Sequence, residues 1–414
     1  MNLGSLNQSK IPTNPGQWMR RGASQRWTTC WSNRIIDAPK SRLPGRARIS
    51  VRGLFTHFDL AYFQHLFCED LMRALVIHSA KDLRIEEKQV KALSPSQVLV
   101  RTERGGICGS DLHYFNHGGF GAVRLREPMI LGHEVSGRVS AMGASVTGLK
   151  IGDLVAISPS RPCGQCQYCQ EGKQNHCLNM RFYGSAMPFP HIQGAFREEL
   201  VVDQAQCVPA DGLTSGEAAM AEPLAVCLHG VRQAGEILGK KVLITGSGPI
   251  GVLCALAARR AGASEIVVTD ITDQTLTHAK ANGADRAINT AKDTVAMPEF
   301  QAGKGYFDVH LECSGAPAAL ASGIAAVRPK GVVVQLGMGG DMTLPVQAIT
   351  VKELSLKGSF RFHEEFATAV KLMQGGLIDV KPLITHTRPI VRALEAFQLA
   401  SNREQAMKVQ IEMA

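Results

Sequence analysis

Between residues 76 and about 202 the apolar positions come in short runs, at 98–100, 135–140 and 154–157, with Gly, Pro and Ser interrupting at close intervals. That spacing predicts short strands joined by turns, a small β-rich, barrel-like domain. Near Thr214 the pattern changes, and residues 214–238 carry Ala and Leu at helical intervals. Strand and helix patterns then alternate: strands at 241–245, 265–270, 307–313 and 331–336, helices at 249–261, 273–282 and 317–327. Such alternation predicts a parallel sheet covered by helices on both faces, an α/β doubly wound arrangement. Two amphipathic helices, 364–375 and 390–402, are predicted for the last segment.

Composition adds little to this picture until it is divided. The 414 residues are 45% hydrophobic and 20% charged, which excludes disorder, collagen-like repeats and coiled coil. No apolar run reaches the roughly 18–20 residues of a membrane span. The net charge of +9 suggests a polyanion partner, but residues 1–71 carry +6 of it and the remaining 343 only +3. A nucleic-acid partner is therefore not expected for the body of the chain. Residues 1–71 hold all three tryptophans (Trp18, Trp27, Trp31) and eight arginines, without a sustained period. They are expected to be a disordered extension, either an organelle transit peptide or, preferred here, a translated upstream stretch before Met72. In the second case the protein is cytoplasmic.

Four of the eleven cysteines cluster as Cys163, Cys166, Cys169 and Cys177, a C-x2-C-x2-C-x7-C spacing within 15 residues. A disulfide framework belongs to small secreted domains, and a ferredoxin run would end C-x3-C-P. Four thiolates with Gly164 and Gly172 between them predict a closed, tetrahedral structural zinc site. The dispersed Cys30, Cys68, Cys207, Cys227, Cys254 and Cys313 read as small buried apolar residues.

Strand 241–245 runs into Gly246-Ser247-Gly248-Pro249-Ile250-Gly251 and then a helix, with Asp270 ending the next strand 19 residues after Gly251. In that context G-x-G-x-x-G predicts dinucleotide binding: a tight turn at Gly246, close phosphate approach at Gly248, helix–strand packing at Gly251. Asp270 accepts from ribose hydroxyls and repels a 2′-phosphate, so NAD is expected over NADP. A second set, Cys108 with His133 and Glu134 25 and 26 residues later, offers thiolate, imidazole and carboxylate, as a catalytic zinc site with an open position requires. Glu222, in the apolar Ala221-Glu222-Pro223-Leu224, is either a further carboxylate of that site or a helix cap.

Together G-G-I-C-G-S-D-L-H-Y, L-G-H-E, the four-cysteine loop, A-E-P-L-A-V and G-S-G-P-I-G resemble the zinc-dependent medium-chain dehydrogenases, within them the sorbitol-type polyol branch. The resemblance spans 72–414 and leaves 1–71 outside. It implies a GroES-like catalytic domain (72–226), a Rossmann domain (227–360) and a last segment (361–414) returning to the first, assembled as a dimer or tetramer. Carried over by motif, Cys108 and His133 ligate catalytic zinc, and Glu134 and Glu222 complete or neighbour its shell. Ser110 supplies a hydroxyl beside the reacting oxygen, with Glu222 a second candidate for proton relay. Tyr114 and Arg361 line the substrate site. Phe362 stands where the sorbitol enzymes have Tyr, which removes a hydroxyl and argues against a plain polyol. Finer stretches (180–187, 189–191, 304–309, 358–362) resemble the sugar-acid, L-idonate-type members of the branch. The implied activity is hydride transfer from the secondary alcohol of a sugar acid, or of a polyol, to NAD(P). A zinc-free quinone reductase of this fold would lack the Cys108/His133 pair. An inactive scaffold would not fill every ligand position, and a nucleic-acid-binding zinc protein would not have a near-neutral body.

Overall fold

The computed structural model describes residues 71–413, and the expectations for the extension before them lie outside the described residues. Leu71–Ser79 forms the first strand, with Ala74 to Ile77 buried, and pairs antiparallel with Asp82–Gln89. The hub of the first half is Gln97–Gly106, whose Val98, Val100 and Thr102 alternate inward. It pairs antiparallel with Glu134–Met142, Glu199–Asp203 and Lys408–Glu412. Leu154–Ile157, Cys207–Pro209 and Ile384–Pro389 complete a seven-stranded sheet.

The last segment differs from expectation. Helices form at Glu365–Gln374 and Ala393–Ala400, the latter after a 3₁₀ turn, but two strands, Ile384–Pro389 and Lys408–Glu412, accompany them. Neither shows a buried-exposed alternation: every residue of the first is at least partly exposed, and Lys408, Val409, Gln410 and Ile411 are all buried. A polar residue buried on both faces of a strand leaves no period to read. Phe397, on the later helix, meets Phe115 and Phe196 edge-on at 5.3 and 6.5 Å and so plugs the core of the first half. Truncating such a ring costs about 3–5 kcal/mol.

The second half is a six-stranded parallel sheet in the order Arg286–Asn289, Glu265–Asp270, Lys241–Thr245, Phe307–Glu312, Val327–Gln335, Ser355–Gly358. The strand first in sequence lies in the middle, so a crevice opens beyond Thr245 and Glu312, where the order reverses. The sequence pattern missed Arg286–Asn289 and Ser355–Gly358, each four residues long, the second exposed throughout. The two halves meet at Ala221–Ala234, a helix that contains the expected boundary between 226 and 227. No helix among the described residues is long and apolar enough to cross a membrane.

Candidate active site

The glycine turn is built as the crevice requires. Gly246 has φ of 89°, and a Cβ there would lie 2.8 Å from the Ser314 nitrogen. A Cβ on Gly251 would lie 1.8 Å from the Gly246 carbonyl oxygen, so only glycine lets helix Pro249–Arg260 start this close to its strand. Pro249 and Ile250 open that helix, with Pro at a position whose N–H has no partner in the helix. Asp270 accepts from the Ser247 N–H at 2.6 Å and from Ile271 and Thr272 at 2.7 and 3.1 Å, which fixes its carboxylate against the turn.

Facing this turn is the first half's polar cluster. One ligand atom each of Cys108, His133 and Glu134 lie within 4.8 Å of one another, and Glu222 is outside that group. Cys108 precedes helix Gly109–His117, and Asp111 on its first turn accepts from the Cys108 and Gly132 N–H groups at 3.0 and 3.1 Å. Asp111 also stands 3.9 Å from His133 Nδ1. One buried carboxylate thus fixes both loops that carry the ligands. A Cβ on Gly106 would lie 2.1 Å from Glu134 Oε2, so that glycine leaves room for the carboxylate. Lys408 Nζ donates to both Glu134 oxygens at 2.9 and 2.7 Å and to the Ile107 carbonyl at 3.3 Å.

Burial sets the electrostatics. Desolvation, with the Glu134 charge behind it, pushes the Cys108 thiol up to about 12. It also pushes Glu222, near the mouth of its helix, up to about 8 against the opposing pull of His133. Burial would lower Lys408, but the Glu134 carboxylate outweighs it and the ammonium is held above its ordinary range. A thiol, an imidazole and a carboxylate gathered in one largely buried cluster are a donor set that suits a divalent cation. Zinc fits them.

The same test is met by the four-cysteine loop, where the Sγ atoms of Cys163, Cys166, Cys169 and Cys177 lie within 4.8 Å of one another. Backbone N–H groups of Gln165 and Cys166 draw Cys163 down to about 6, and those of Leu178 and Cys169 lower Cys166. Cys169 is pushed up to about 12 by desolvation and its sulfur neighbours. Like charges this close suppress one another unless a cation joins them.

The cleft between the halves is lined by residues of both. Ser110, Tyr114, His133, Glu222 and Arg361 stand on one side, and Gly248 to Gly251 on the other. Tyr114 is buried and its hydroxyl accepts from the Ala186 N–H at 3.0 Å, which leaves its own proton to donate. Arg361 adopts φ of 56°, an uncommon conformation for a non-glycine residue, and its guanidinium covers the rings of Phe182 and Phe360 at 4.3 and 4.8 Å. Desolvation lowers it to about 10, opposed by Glu222 and Tyr114. The same backbone turn sends Phe362 the other way: it is 0% exposed and stacks on Phe366 at 5.7 Å. Phe362 is therefore a core residue, and the argument from its missing hydroxyl against a polyol substrate does not hold. Cys313 and Cys207, both expected to be buried, are only partly so: Cys313 packs against the core and also lines the cleft.

Sequence reasoning missed Asp111, Lys408 and Glu312. The last is fully buried and accepts from Ser314 and Gly315 N–H groups at 2.9 Å each and from Gln335 Nε2 at 2.6 Å, tying together the loops after two strands of the parallel sheet. C-x-x-D before a helix was a readable capping signal for Asp111. Lys408 and Glu312 end or start strands, where charge reads as solvent exposure.

A glycine turn at a topological switch point, facing a Cys-His-Glu cluster across a cleft, defines a two-domain zinc-dependent NAD(P)-linked dehydrogenase. Comparison agrees: residues 94–212 match the alcohol dehydrogenase GroES-like domain and 249–375 the zinc-binding dehydrogenase model. The chain belongs to this zinc-dependent alcohol dehydrogenase family. It is 43% identical over 341 residues to L-idonate 5-dehydrogenase (NAD(P)(+)) of Escherichia coli K12, covering 82% of this chain and 98% of that one. The crystal structure of L-idonate 5-dehydrogenase from that organism is similar with a TM-score of 0.80 at 42% identity, over 83% of this chain and 98% of the other. Human sorbitol dehydrogenase is 38% identical over 336 residues, 78% of this chain and 91% of that protein.

Proposed function

We propose that this dehydrogenase oxidises the secondary alcohol of a sugar acid of the L-idonate class and reduces the corresponding keto acid, with NAD preferred to NADP. The observation that carries the substrate class is Arg361. It presents a guanidinium to the cleft, stacked on two rings, within electrostatic reach of Glu222 and Tyr114 and without an ion pair to a carboxylate among the described residues. A planar fork so held suits a substrate carboxylate. The similarity to L-idonate 5-dehydrogenase points the same way.

Cys108, His133 and Glu134 would hold one zinc, and Cys163, Cys166, Cys169 and Cys177 a second. When bound there, zinc would supply a Lewis acid for the substrate alcohol and a nicotinamide would supply the hydride acceptor. The chain's own groups orient and exchange protons: Tyr114 donates to a substrate hydroxyl, and Ser110 and Glu222 carry the alcohol proton towards solvent. Gly246 to Gly251 would receive the pyrophosphate and Asp270 the ribose. The units proposed are 72–226 with 361–414 around the metal site and 227–360 around the dinucleotide. Pairing of Lys408–Glu412 with Gln97–Gly106 supports that grouping. The exposed edge strand Ser355–Gly358 supports assembly into a homodimer or homotetramer, since an open edge invites pairing. We place the enzyme in the cytoplasm, without a nucleic-acid partner.

A polyol substrate is the second reading, favoured by the similarity to sorbitol dehydrogenases now that Phe362 gives no argument against it. Initial rates on L-idonate and sorbitol with NAD and NADP decide. Wild-type kcat/KM should be higher on L-idonate, and Arg361→Ala should reduce that preference by about 10–100-fold. Higher wild-type efficiency on sorbitol rejects the sugar-acid reading, and equal losses on both substrates remove Arg361 from carboxylate recognition.

A further inference from the structure

Across the cleft from the glycine turn lies a cation that neither the motifs nor the proposed chemistry employs. Arg403 sits in the short turn between helix Ala393–Ala400 and strand Lys408–Glu412. That turn is built rather than loose. Asn402 accepts from Glu404 through its side chain at 3.0 Å and from Gln405 and Ala406 through its carbonyl at 3.2 and 3.1 Å. Ser401 Oγ donates to the Phe397 carbonyl at 2.9 Å. The Arg403 guanidinium is thereby carried to Gly248, 3.8 Å from where a Cβ on that glycine would lie, and beyond the glycine's chain neighbours no other described residue comes within 4 Å of that point.

The three long cations of the cleft wall differ in what they already hold. Lys408 is committed to Glu134, and Arg361 is stacked between Phe182 and Phe360. Arg403 makes no hydrogen bond and no ion pair within 4 Å to any described residue, although it stands within electrostatic reach of both Cys108 and Asp270. It lines the same cleft as the metal-ligand cluster and the glycine turn, against Gly248. A diphosphate stretched along the turn passes the open face of Gly248. Helix Pro249–Arg260 offers it N–H donors on one side only.

We propose that Arg403 is a dinucleotide-binding residue that closes over the diphosphate from the side opposite the glycine turn, so that the segment after residue 361 contributes to cofactor capture as well as to the sheet. This rests on the dinucleotide reading of the cleft. A fork of N–H donors on a fixed turn matches two adjacent phosphates, and such a charge-assisted contact forms only when the cofactor arrives.

Binding of ADP-ribose and of adenosine to the zinc-loaded full-length protein, followed by calorimetry, tests it without turnover. Arg403→Gln should weaken ADP-ribose by about 10–100-fold and leave adenosine within about twofold. Arg403→Lys should fall between, because charge remains and the fork is lost. Should the Gln variant not fold, the Lys variant alone decides, with an unchanged ADP-ribose Kd overturning the proposal. Equal weakening of both ligands, or of neither, also overturns it. A wild type that binds neither ADP-ribose nor NAD fails the dinucleotide reading itself, which is a distinct result.

Discussion

The two candidate metal-ligand sets of this protein are made in opposite ways. Cys163, Cys166, Cys169 and Cys177 come from 15 consecutive residues, gather four like ligands and leave no place for anything else. Cys108, His133 and Glu134 come from two loops, are fixed by Asp111, and answer to Lys408 from the far end of the chain. They are of three chemical kinds and border a cleft that the other half closes. A closed set of thiolates stabilises the segment that carries it, whereas a mixed and incomplete set leaves a position for substrate. The difference teaches that ligand number and the direction of the opening, more than the metal, separate the structural from the catalytic role.

The strongest way to break that contrast is to remove one ligand from each set. Cys108→Ala should lower kcat/KM by at least about 10³-fold with the thermal midpoint little changed. Cys163→Ala should instead lower the midpoint by about 5 °C or more and spare most of the activity of the folded fraction. Zinc content should fall from two to one per chain in each variant, and a single zinc in the active wild type would refute the two-site reading. Lys408→Met sharpens the catalytic side. Without its ammonium the buried Glu134 carboxylate has no counter-charge, which should cost about 3–5 kcal/mol in the zinc-free protein. Zinc should restore much of this, so denaturant curves with and without a chelator should diverge more for the variant than for wild type. Equal losses in both forms would mean that Lys408 serves the sheet and not the metal set.

Effects should be smaller in the second half. Asp270→Ala should move the preference from NAD towards NADP by about 1–3 kcal/mol, read from the ratio of kcat/KM values. A wild type that already prefers NADP would contradict the role of Asp270. The smallest change concerns a carboxylate remote from both metal sets. Against the desolvation of Glu365, His229 at 3.1 Å and the His363 N–H hold its pKa down at about 2. A depressed carboxylate stabilises the fold above its ordinary pKa of about 4.3, and that contribution fades as pH falls through about 2. Glu365→Gln should therefore lose about 1–2 kcal/mol at pH 7 and less below pH 4, with kcat unaffected. A pH-independent loss would show that packing, not charge, is what Glu365 provides.

The local set was legible because its meaning lies in spacing along the chain, and so was the glycine turn. Lys241–Thr245 and Glu265–Asp270 fall within the strands read from the sequence, since fully buried parallel strands are short apolar runs between turn residues. Ile384–Pro389 and Lys408–Glu412 were not legible. The burial of Lys408 and Gln410 is compensated by Glu134 and by the Gly216 carbonyl, partners about 270 and 190 residues away along the chain. Phe362 shows the same limit from the other side: its neighbour Arg361 faces the cleft, and only the left-handed backbone between them turns Phe362 into the core.

By itself, then, the chain's pattern determined the alternation that makes a doubly wound sheet, the glycine turn and the gathering of four cysteines in one loop. Each depends on residues within a few turns of one another, where period and spacing are physical constraints on the backbone. The tertiary structure alone decided that Glu134 and not Glu222 joins Cys108 and His133, that Lys408 is its counter-ion, and that Arg403 meets Gly248. Those outcomes depend on desolvation and charge, which act through space and leave no period in the sequence.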